Sequence, residues 1–165
     1  MKRLMVLILV LALTSAANAV LIEVDGQVGE TFDVQQNATI SVVSEDALNW
    51  LGYLIVEEGG LGVLSNPVGT ALAGDPALSG AIPYTETGWG SGYEITVAGS
   101  ASFPVGVGTQ FSFDYTGAIG DTARISLFVD PEFSVPVASV GVNVVPEPMT
   151  ILLLGLGGLL LRCRR

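Results

Sequence analysis

Apolar and polar residues alternate along much of the chain between residues 20 and 145. Apolar side chains occupy positions 20, 22 and 24, and they occupy the even positions from 32 to 42 except Gln36. A period of two predicts β-strands with one buried and one solvated face. The same period returns at positions 93–97, 111–115, 123–129 and 138–144. Residues 50–56 are apolar at both parities, which is typical of a central strand covered on both faces.

Three segments interrupt this pattern. Ser44 to Leu48 is predicted to form a helical turn with Ser44 as its N-cap. Residues 58–90 are rich in Gly and Pro turn signals, so we expect a long irregular region with short pairing segments at 61–64 and 81–84. Residues 117–121 are predicted to form a hairpin loop.

The predicted hairpin has a consequence for the charges. It would place Phe113 opposite Ile125 and Asp114 opposite Arg124, giving an exposed ion pair worth at most about 1 kcal/mol.

Seven to nine short strands without an amphipathic helix favour an all-β fold. The expected architecture is an antiparallel β-sandwich of the immunoglobulin-like or jelly-roll type.

The C-terminus has a tripartite organisation. Pro146 and Pro148 keep the backbone around Glu147 extended. The uncharged run 149–161 has 13 residues, which as a helix would span roughly 20 Å of a bilayer core of about 30 Å. The basic residues that follow it, which resist translocation, are Arg162, Arg164 and Arg165.

Val145-Pro146-Glu147-Pro148, the glycine-interrupted apolar run and the arginines resemble the PEP-CTERM sorting signal. The resemblance implies an exosortase-type membrane protease as a partner, with release to the cell surface or the extracellular matrix. It also implies a link to exopolysaccharide or biofilm. Retention of the tail as a simple membrane anchor remains the alternative.

The N-terminus is typical of a secretory signal peptide. Lys2 and Arg3 precede an apolar stretch, and Ala17 and Ala19 supply the small residues that signal peptidase requires. We therefore expect a signal peptide at 1–19 and a β-sandwich domain at 20–145. A sorting signal with a short transmembrane helix and a basic tail would occupy 146–165. An exported protein, transiently anchored in the inner membrane, is the expected result.

The charge balance restricts the function of the central domain. In the expected mature chain, residues 20–148, Arg124 alone faces all 16 acidic residues, a formal net charge of −15. Nucleic acid is excluded as a partner because phosphate binding requires Lys and Arg. The chain has no histidine, and its one cysteine, Cys163, lies in the tail. We therefore expect no enzyme, no cofactor and no built metal site, although the excess of acidic residues leaves calcium binding open.

Carboxylates and aromatic rings are the remaining candidate chemistry. Glu57, Glu58, Asp75, Glu86 and Glu94 are carboxylates of the kind a glycosidase uses in pairs, yet their spacing selects no pair. Five aromatic residues could contribute to a sugar-stacking platform: Trp50, Tyr53, Tyr84, Trp89 and Tyr93. Trp89, which lies between two glycines, is the best candidate for an exposed ligand-binding ring, whereas Trp50 and Tyr93 are expected in the core.

Several phrases resemble a β-sandwich module of planctomycete-type secreted proteins that is similar to cohesin domains. They are residues 50–54, 58–60, 64–67, 93–96 and 98–100. The resemblance implies protein docking or attachment to carbohydrate-degrading assemblies. The sequence thus predicts a non-catalytic surface or matrix protein, with a polysaccharide- or protein-binding module as the alternative.

Overall fold

Alternating apolar residues build strands throughout the computed structural model, which describes residues 20–130 and 132–147. The strands within these ranges are β1 (Val20–Val24), β2 (Thr31–Val34), β3 (Asn37–Ser44), β4 (Trp50–Glu57), β5 (Val63–Gly69), β6 (Gly80–Glu86), β7 (Gly90–Val97), β8 (Gly108–Thr116), β9 (Thr122–Phe128) and β10 (Ala138–Val144). A 3-10 turn at Ala71–Ala73 is the only helical element in the described part of the chain.

The strands form a two-layer sandwich, which confirms the all-β prediction. One sheet has four strands in the order β1-β3-β8-β5, and the other has six in the order β2-β10-β9-β4-β7-β6. The prediction of a purely antiparallel sandwich is wrong at one place, because β2 pairs with β10 in parallel. β2 leads through only two residues into β3, which belongs to the opposite sheet.

This crossing explains the long alternating run at residues 32–42. The run is divided between β2 of the six-stranded sheet and β3 of the four-stranded sheet, and Gln36 lies at the crossing. Phe32, Val34, Ala38 and Ile40 nevertheless all contribute to the one apolar core. Alternation therefore continues across the change of sheet because both inner faces look toward the same core.

The predicted hairpin at residues 117–121 is wrong. β8 lies in the four-stranded sheet and β9 in the six-stranded sheet, so the loop crosses between the sheets. Phe113 pairs with Ile40 rather than with Ile125. Asp114 accepts a hydrogen bond from Asn66 Nδ2 at 2.8 Å and is not paired with Arg124. The guanidinium of Arg124 instead lies near Glu57, with 3.6 Å between Nε and Oε1.

The other two interruptions also differ from expectation. Ser44 ends β3, and its hydroxyl donates to the Asp46 carbonyl at 2.7 Å, so the segment bends instead of forming a helical turn. The region 58–90 holds two full strands, β5 and β6. They were not predicted because Pro67 and Pro83 argue against a strand. Each proline lies on the outermost strand of its sheet, where a missing N–H is tolerated.

Tyr115 links the core to the loop before β5. Its ring is completely buried, and its hydroxyl donates to the Leu61 carbonyl at 2.6 Å. Burial raises the pKa of this hydroxyl, which keeps it protonated as a donor. Gly62 adopts a φ of +103°, and a Cβ there would lie 2.5 Å from the Tyr115 hydroxyl oxygen. Glycine is required at this position because the backbone and the phenol approach so closely.

Both targeting segments lie largely outside the described residues. The signal-peptide residues, Pro148, the apolar run and the terminal arginines fall there, as do the helices predicted for the two ends. Val145 is still tied to the sandwich, since its amide donates to the Val34 carbonyl at 2.8 Å. Among the described residues, no helix has the length and apolar character needed to cross a membrane.

We expect Tyr115→Phe to lower the free energy of unfolding by about 1–3 kcal/mol, because the Leu61 carbonyl loses its buried donor. Urea denaturation measures the change. Tyr93→Phe is the matched control, since the Tyr93 hydroxyl makes no side-chain hydrogen bond among those found in the described chain. Equal effects of both substitutions would contradict the role assigned to the Tyr115 hydroxyl.

Candidate functional site

Five aromatic rings gather on the outer face of the six-stranded sheet. They come from three strands, one turn and one loop, and we call them the aromatic cluster: Tyr53 of β4, Tyr84 of β6, Trp89 of the β6–β7 turn, Phe128 of β9 and Phe133 of the β9–β10 loop. The ring centroids of Tyr53 and Tyr84 are 4.8 Å apart. Phe133 lies 5.1 Å from Tyr53 and 5.2 Å from Phe128. Such spacings are those of favourable aromatic pairs.

Strand register brings the two tyrosines together. Tyr84 pairs with Gly92 of β7, and Gly92 pairs in turn with Ile55 of β4. A Cβ at Gly92 would lie 2.0 Å from the Leu54 carbonyl oxygen, so the position requires glycine. The absence of a side chain there leaves space above β7, across which the rings of Tyr53 and Tyr84 meet.

Phe133 is the buried centre of the cluster. It is 2% exposed, although other residues of the same loop, such as Val135, are exposed to solvent. Its φ of +52° is unusual for a bulky residue. The ring stacks on Trp89 at 5.7 Å with 24° between the planes and helps to cover Ile55, which is completely buried. The β9–β10 loop therefore closes a second, smaller core on the outside of the sheet.

Asp130 holds this loop in shape. Its carboxylate accepts hydrogen bonds from the Ser134 amide at 3.0 Å and from the Ser134 hydroxyl at 3.1 Å. The bond from the Ser134 amide, with further amide bonds from Glu132 and Phe133, holds the pKa of Asp130 below its ordinary value of 3.8. The carboxylate thus fixes the bend that directs Phe133 into the cluster.

A polar network lies beside the cluster on the same face. Ser126 is completely buried, and its hydroxyl bonds to Glu57 and to Ser139. Arg124 Nε donates to the Ser139 hydroxyl at 2.8 Å. The Arg124–Glu57 pair is partly exposed and contributes at most about 1 kcal/mol. Its effect is to hold the one cation of the domain in a defined place.

Comparison by sequence finds no matching family model and no matching curated relative. Comparison of structures gives a TM-score of 0.50 with CaCohA2 from Clostridium acetobutylicum, at 18% identity over 78% of this chain and 92% of that chain. The fold is cohesin-like. At this identity the likeness concerns the fold alone.

Two further cohesins are similar at lower scores. The sixth cohesin of scaffoldin B from Acetivibrio cellulolyticus has a TM-score of 0.48 and 12% identity, covering 76% of this chain and 96% of that one. A non-cellulosomal cohesin from Archaeoglobus fulgidus has a TM-score of 0.47 and 12% identity, covering 82% and 96%. The cohesin resemblance noted in the sequence agrees with the CaCohA2 structure at the level of architecture.

The cohesin-like sandwich separates the aromatic residues considered as a platform. Tyr53, Tyr84 and Trp89 share the outer face. Trp50 points between the sheets, where its indole N–H donates to Gln110 Oε1 at 2.6 Å, and Tyr93 packs against Phe113 in the core. Sequence reasoning missed Phe128 and Phe133. Phe128 breaks the alternation of β9, and that break was the one available signal.

The candidate carboxylates divide between several places. Glu57, Glu58 and Glu86 line an open groove of about 330 Å³ beside the Trp89 turn. Glu86 accepts a hydrogen bond from the Tyr84 hydroxyl at 2.9 Å, which raises the pKa of Tyr84. Among the described residues there is no group of three or more His, Cys, Asp or Glu side chains placed to hold a metal ion.

Val145 and Glu147 lie together at one end of the sandwich. They line a small polar cavity of about 190 Å³ with Gln35, Gln36 and Ile119. Pro146 follows the last main-chain bond of the sheet and is only partly buried. The other residues of the predicted sorting signal and cleavage sites, Ala17, Ala19, Pro148, Arg162, Arg164 and Arg165, lie outside the described residues.

We expect Phe133→Ala to lower the free energy of unfolding by about 3 kcal/mol, because it empties the centre of the aromatic cluster. Urea denaturation followed by tryptophan fluorescence measures the loss. Phe103→Ala is the control, since Phe103 is 52% exposed. A loss from Phe133→Ala no larger than that from Phe103→Ala would contradict a structural role for the cluster.

Acid is expected to loosen the β9–β10 loop. The folded-state pKa of Asp130 is lowered, so its contribution is fully present above the unfolded value of about 3.9 and is lost as pH falls through the folded value. The measurement is a titration of Trp89 fluorescence downward from neutral pH in a Trp50→Phe background. Asp130→Asn should remove this phase, and its persistence there would contradict the assignment.

Proposed function

We propose that the protein is an exported, non-catalytic module that binds a protein partner through the outer face of its six-stranded sheet. The observation that carries the proposal is the apolar character of this face. Ile82 is 59% exposed, Leu51 is 42% exposed and Trp89 is 40% exposed. Register places Ile82 and Tyr53 on either side of Glu94, so these side chains form one continuous surface around the cluster.

The outer face of the other sheet has a different chemistry. Its central strands present Thr39, Ser112 and Thr116 outward, alternating with the buried core residues of β3 and β8. Hydroxyl groups are well solvated, whereas exposed aliphatic and aromatic groups gain from being covered. The four-stranded sheet also exposes Val63 and Val68, but these lie on its edge strand β5. The contrast between the central strands therefore supports docking on the six-stranded sheet.

Charge defines the chemistry of the partner. Glu86 and Glu94 project from the docking face, and Glu58 lies at its border. Among the residues that the structure describes, Glu57 is the one acid there that contacts a cation. Such a surface would attract a partner that has a rim of Lys or Arg, which speeds association. An apolar centre on that partner would then cover the exposed apolar side chains. Arg124 is the exception and would face an acidic or polar group of that partner.

The absence of histidine, lysine and cysteine from residues 20–147 supports the non-catalytic part of the proposal. Serine–histidine, cysteine–histidine and Schiff-base chemistry have no residues to use. The carboxylates near the docking face bond to hydroxyl groups or form its acidic border. They serve recognition in this proposal.

Export and sorting complete the proposed function. The sheet bonding ends at Val145, and Pro146 then prevents further pairing, which supports a processing segment that begins directly at the edge of the folded domain. An exosortase-type protease would act there, and the module would remain at the cell surface or in the matrix.

A binding comparison tests the docking face. Leu51→Glu and Ile82→Glu are expected to weaken partner binding at least about tenfold, because each places a charge in the apolar centre. Val63→Glu is the control, since Val63 is 64% exposed on the four-stranded sheet. The binding arms are a panel of dockerin domains, the partner class solved with the scaffoldin B cohesin, and secreted proteins of the producing cell.

Two results would overturn the docking proposal. One is a retained partner that Val63→Glu releases as fully as Leu51→Glu does. The other is a wild-type protein that retains no partner from either arm. High salt should weaken the interaction with a basic-rimmed partner, and an interaction that salt does not affect would contradict the charge argument.

Sorting has its own measurement. Mass spectrometry of the mature protein from its producing cell should detect a chain that begins near Val20 and ends near Pro148. A mature chain that still ends in Arg165 would contradict tail removal and indicate simple anchoring. This outcome leaves the docking face unaffected, so the two parts of the proposal fail separately.

Polysaccharide binding is the second candidate, because Trp89 and Tyr84 are partly exposed on the same surface. One face of the Trp89 ring is already stacked on Phe133, which leaves only the opposite side for a sugar. A glycan pull-down with the wild type and Trp89→Ala separates the candidates. Equal, negligible retention of both would exclude the sugar-binding role.

A further inference from the structure

The two sheets part at one side of the sandwich and leave a cavity. β5 and β6 are the outermost strands of their respective sheets, and they face each other without pairing. The gap between them encloses about 500 Å³. Its volume falls within the range of small-molecule pockets, roughly 300 to 1,000 Å³. It opens between the layers at the sheet edge, whereas the proposed docking surface lies on the outer face.

The lining of the cavity is small, apolar and uncharged. Phe111 and Phe103 contribute rings, of which Phe111 is buried and Phe103 is half exposed. The remaining apolar lining residues are Pro67, Gly69, Ala71, Ala73, Gly74, Pro76, Gly80 and Ala81. No charged residue of the described chain lines this cavity, although residues 20–147 include 16 acidic residues.

The two polar side chains of the lining are already bonded. The Thr70 hydroxyl donates to the Thr109 carbonyl at 2.6 Å and accepts the Leu72 amide at 3.1 Å. The Ser79 hydroxyl lies 2.7 Å from the Ala73 carbonyl oxygen and accepts the Ala98 amide at 3.0 Å. A bound molecule would therefore meet no free side-chain donor, and apolar contact would hold it.

The walls are held by main-chain bonds. The Gly106 amide donates to the Leu72 carbonyl at 2.9 Å, and the Asp75 amide donates to the Ala98 carbonyl at 2.9 Å. Gly74 has a φ of +93°, and a Cβ there would lie 2.6 Å from the Ala98 oxygen. These contacts preform the cavity, which lowers the ordering cost of binding.

We propose that this cavity is a binding site for a small, neutral, apolar molecule, with an aromatic ring as the best fit between Phe103 and Phe111. Anions are excluded because the lining offers no cation and the domain is strongly negative. Sugars are a poorer fit because their hydroxyl groups would meet no free side-chain partner in the lining. An apolar guest would displace water from the apolar walls of this open cavity, which favours its binding.

Chemical-shift titration of the amide groups with toluene tests the proposal. We expect saturable shifts at Gly69, Ala73, Gly74 and Gly80, and binding of benzoate weaker by at least about tenfold. The proposal is overturned if toluene gives no saturable shift, if benzoate binds equally well, or if the shifts concentrate at the aromatic cluster instead.

Two variants locate the site. Ala81 lines the cavity and packs against the core, so Ala81→Leu introduces a side chain that fills part of the cavity. It should weaken toluene binding at least about tenfold, whereas Thr85→Leu on the same strand should leave it unchanged. Phe103→Ala is the second variant and should weaken binding by removing one ring. Unchanged toluene affinity in folded Ala81→Leu and Phe103→Ala would overturn the assignment.

Discussion

Burial of one apolar layer between two sheets is the constraint on which this structure depends. No disulfide is available between residues 20 and 147, and the charges are too one-sided to contribute through many ion pairs. The inward residues of both sheets therefore supply the stability, and they meet in one continuous cluster. The polar groups drawn into this layer are bonded, as Gln110 and Tyr115 show. In the described chain, no buried side-chain polar atom lacks a partner.

The sandwich differs from one built of two equally wide sheets, and the need to bury apolar residues explains the differences. The six-stranded sheet is wider than its four-stranded partner, so part of its surface has no sheet opposite it. On the outside, the β9–β10 loop inserts Phe133 among the aromatic side chains and buries Ile55. At the β5–β6 edge, small side chains leave the layer incompletely filled. The six-stranded sheet thus carries a second apolar cluster on its outer face, covered by the β9–β10 loop. At the β5–β6 edge, the main apolar layer ends in an open cavity.

The distribution of charge restricts which ligands each surface can bind. Fifteen unopposed negative charges favour solubility and basic partners, and they keep anions and nucleic acid away. The one cation is placed by Ser139 and Glu57 on the face that also carries exposed apolar groups. The uncharged cavity is the exception in this acidic protein. Recognition of a protein and of a small apolar molecule can therefore occupy separate surfaces.

The sequence by itself determined which residues face the core, because a period of two reports side-chain direction directly. It also predicted targeting segments at both ends and argued against most catalytic chemistry. Only the tertiary structure decided which sheet each strand joins. Phe32 and Ile40 have the same inward parity but lie in opposite sheets, and Phe113 pairs with Ile40 rather than Ile125. The two inner faces of a sandwich bury the same kinds of residue, so alternation cannot distinguish them. Long-range packing likewise placed Phe133, an isolated loop phenylalanine, at the centre of the aromatic cluster.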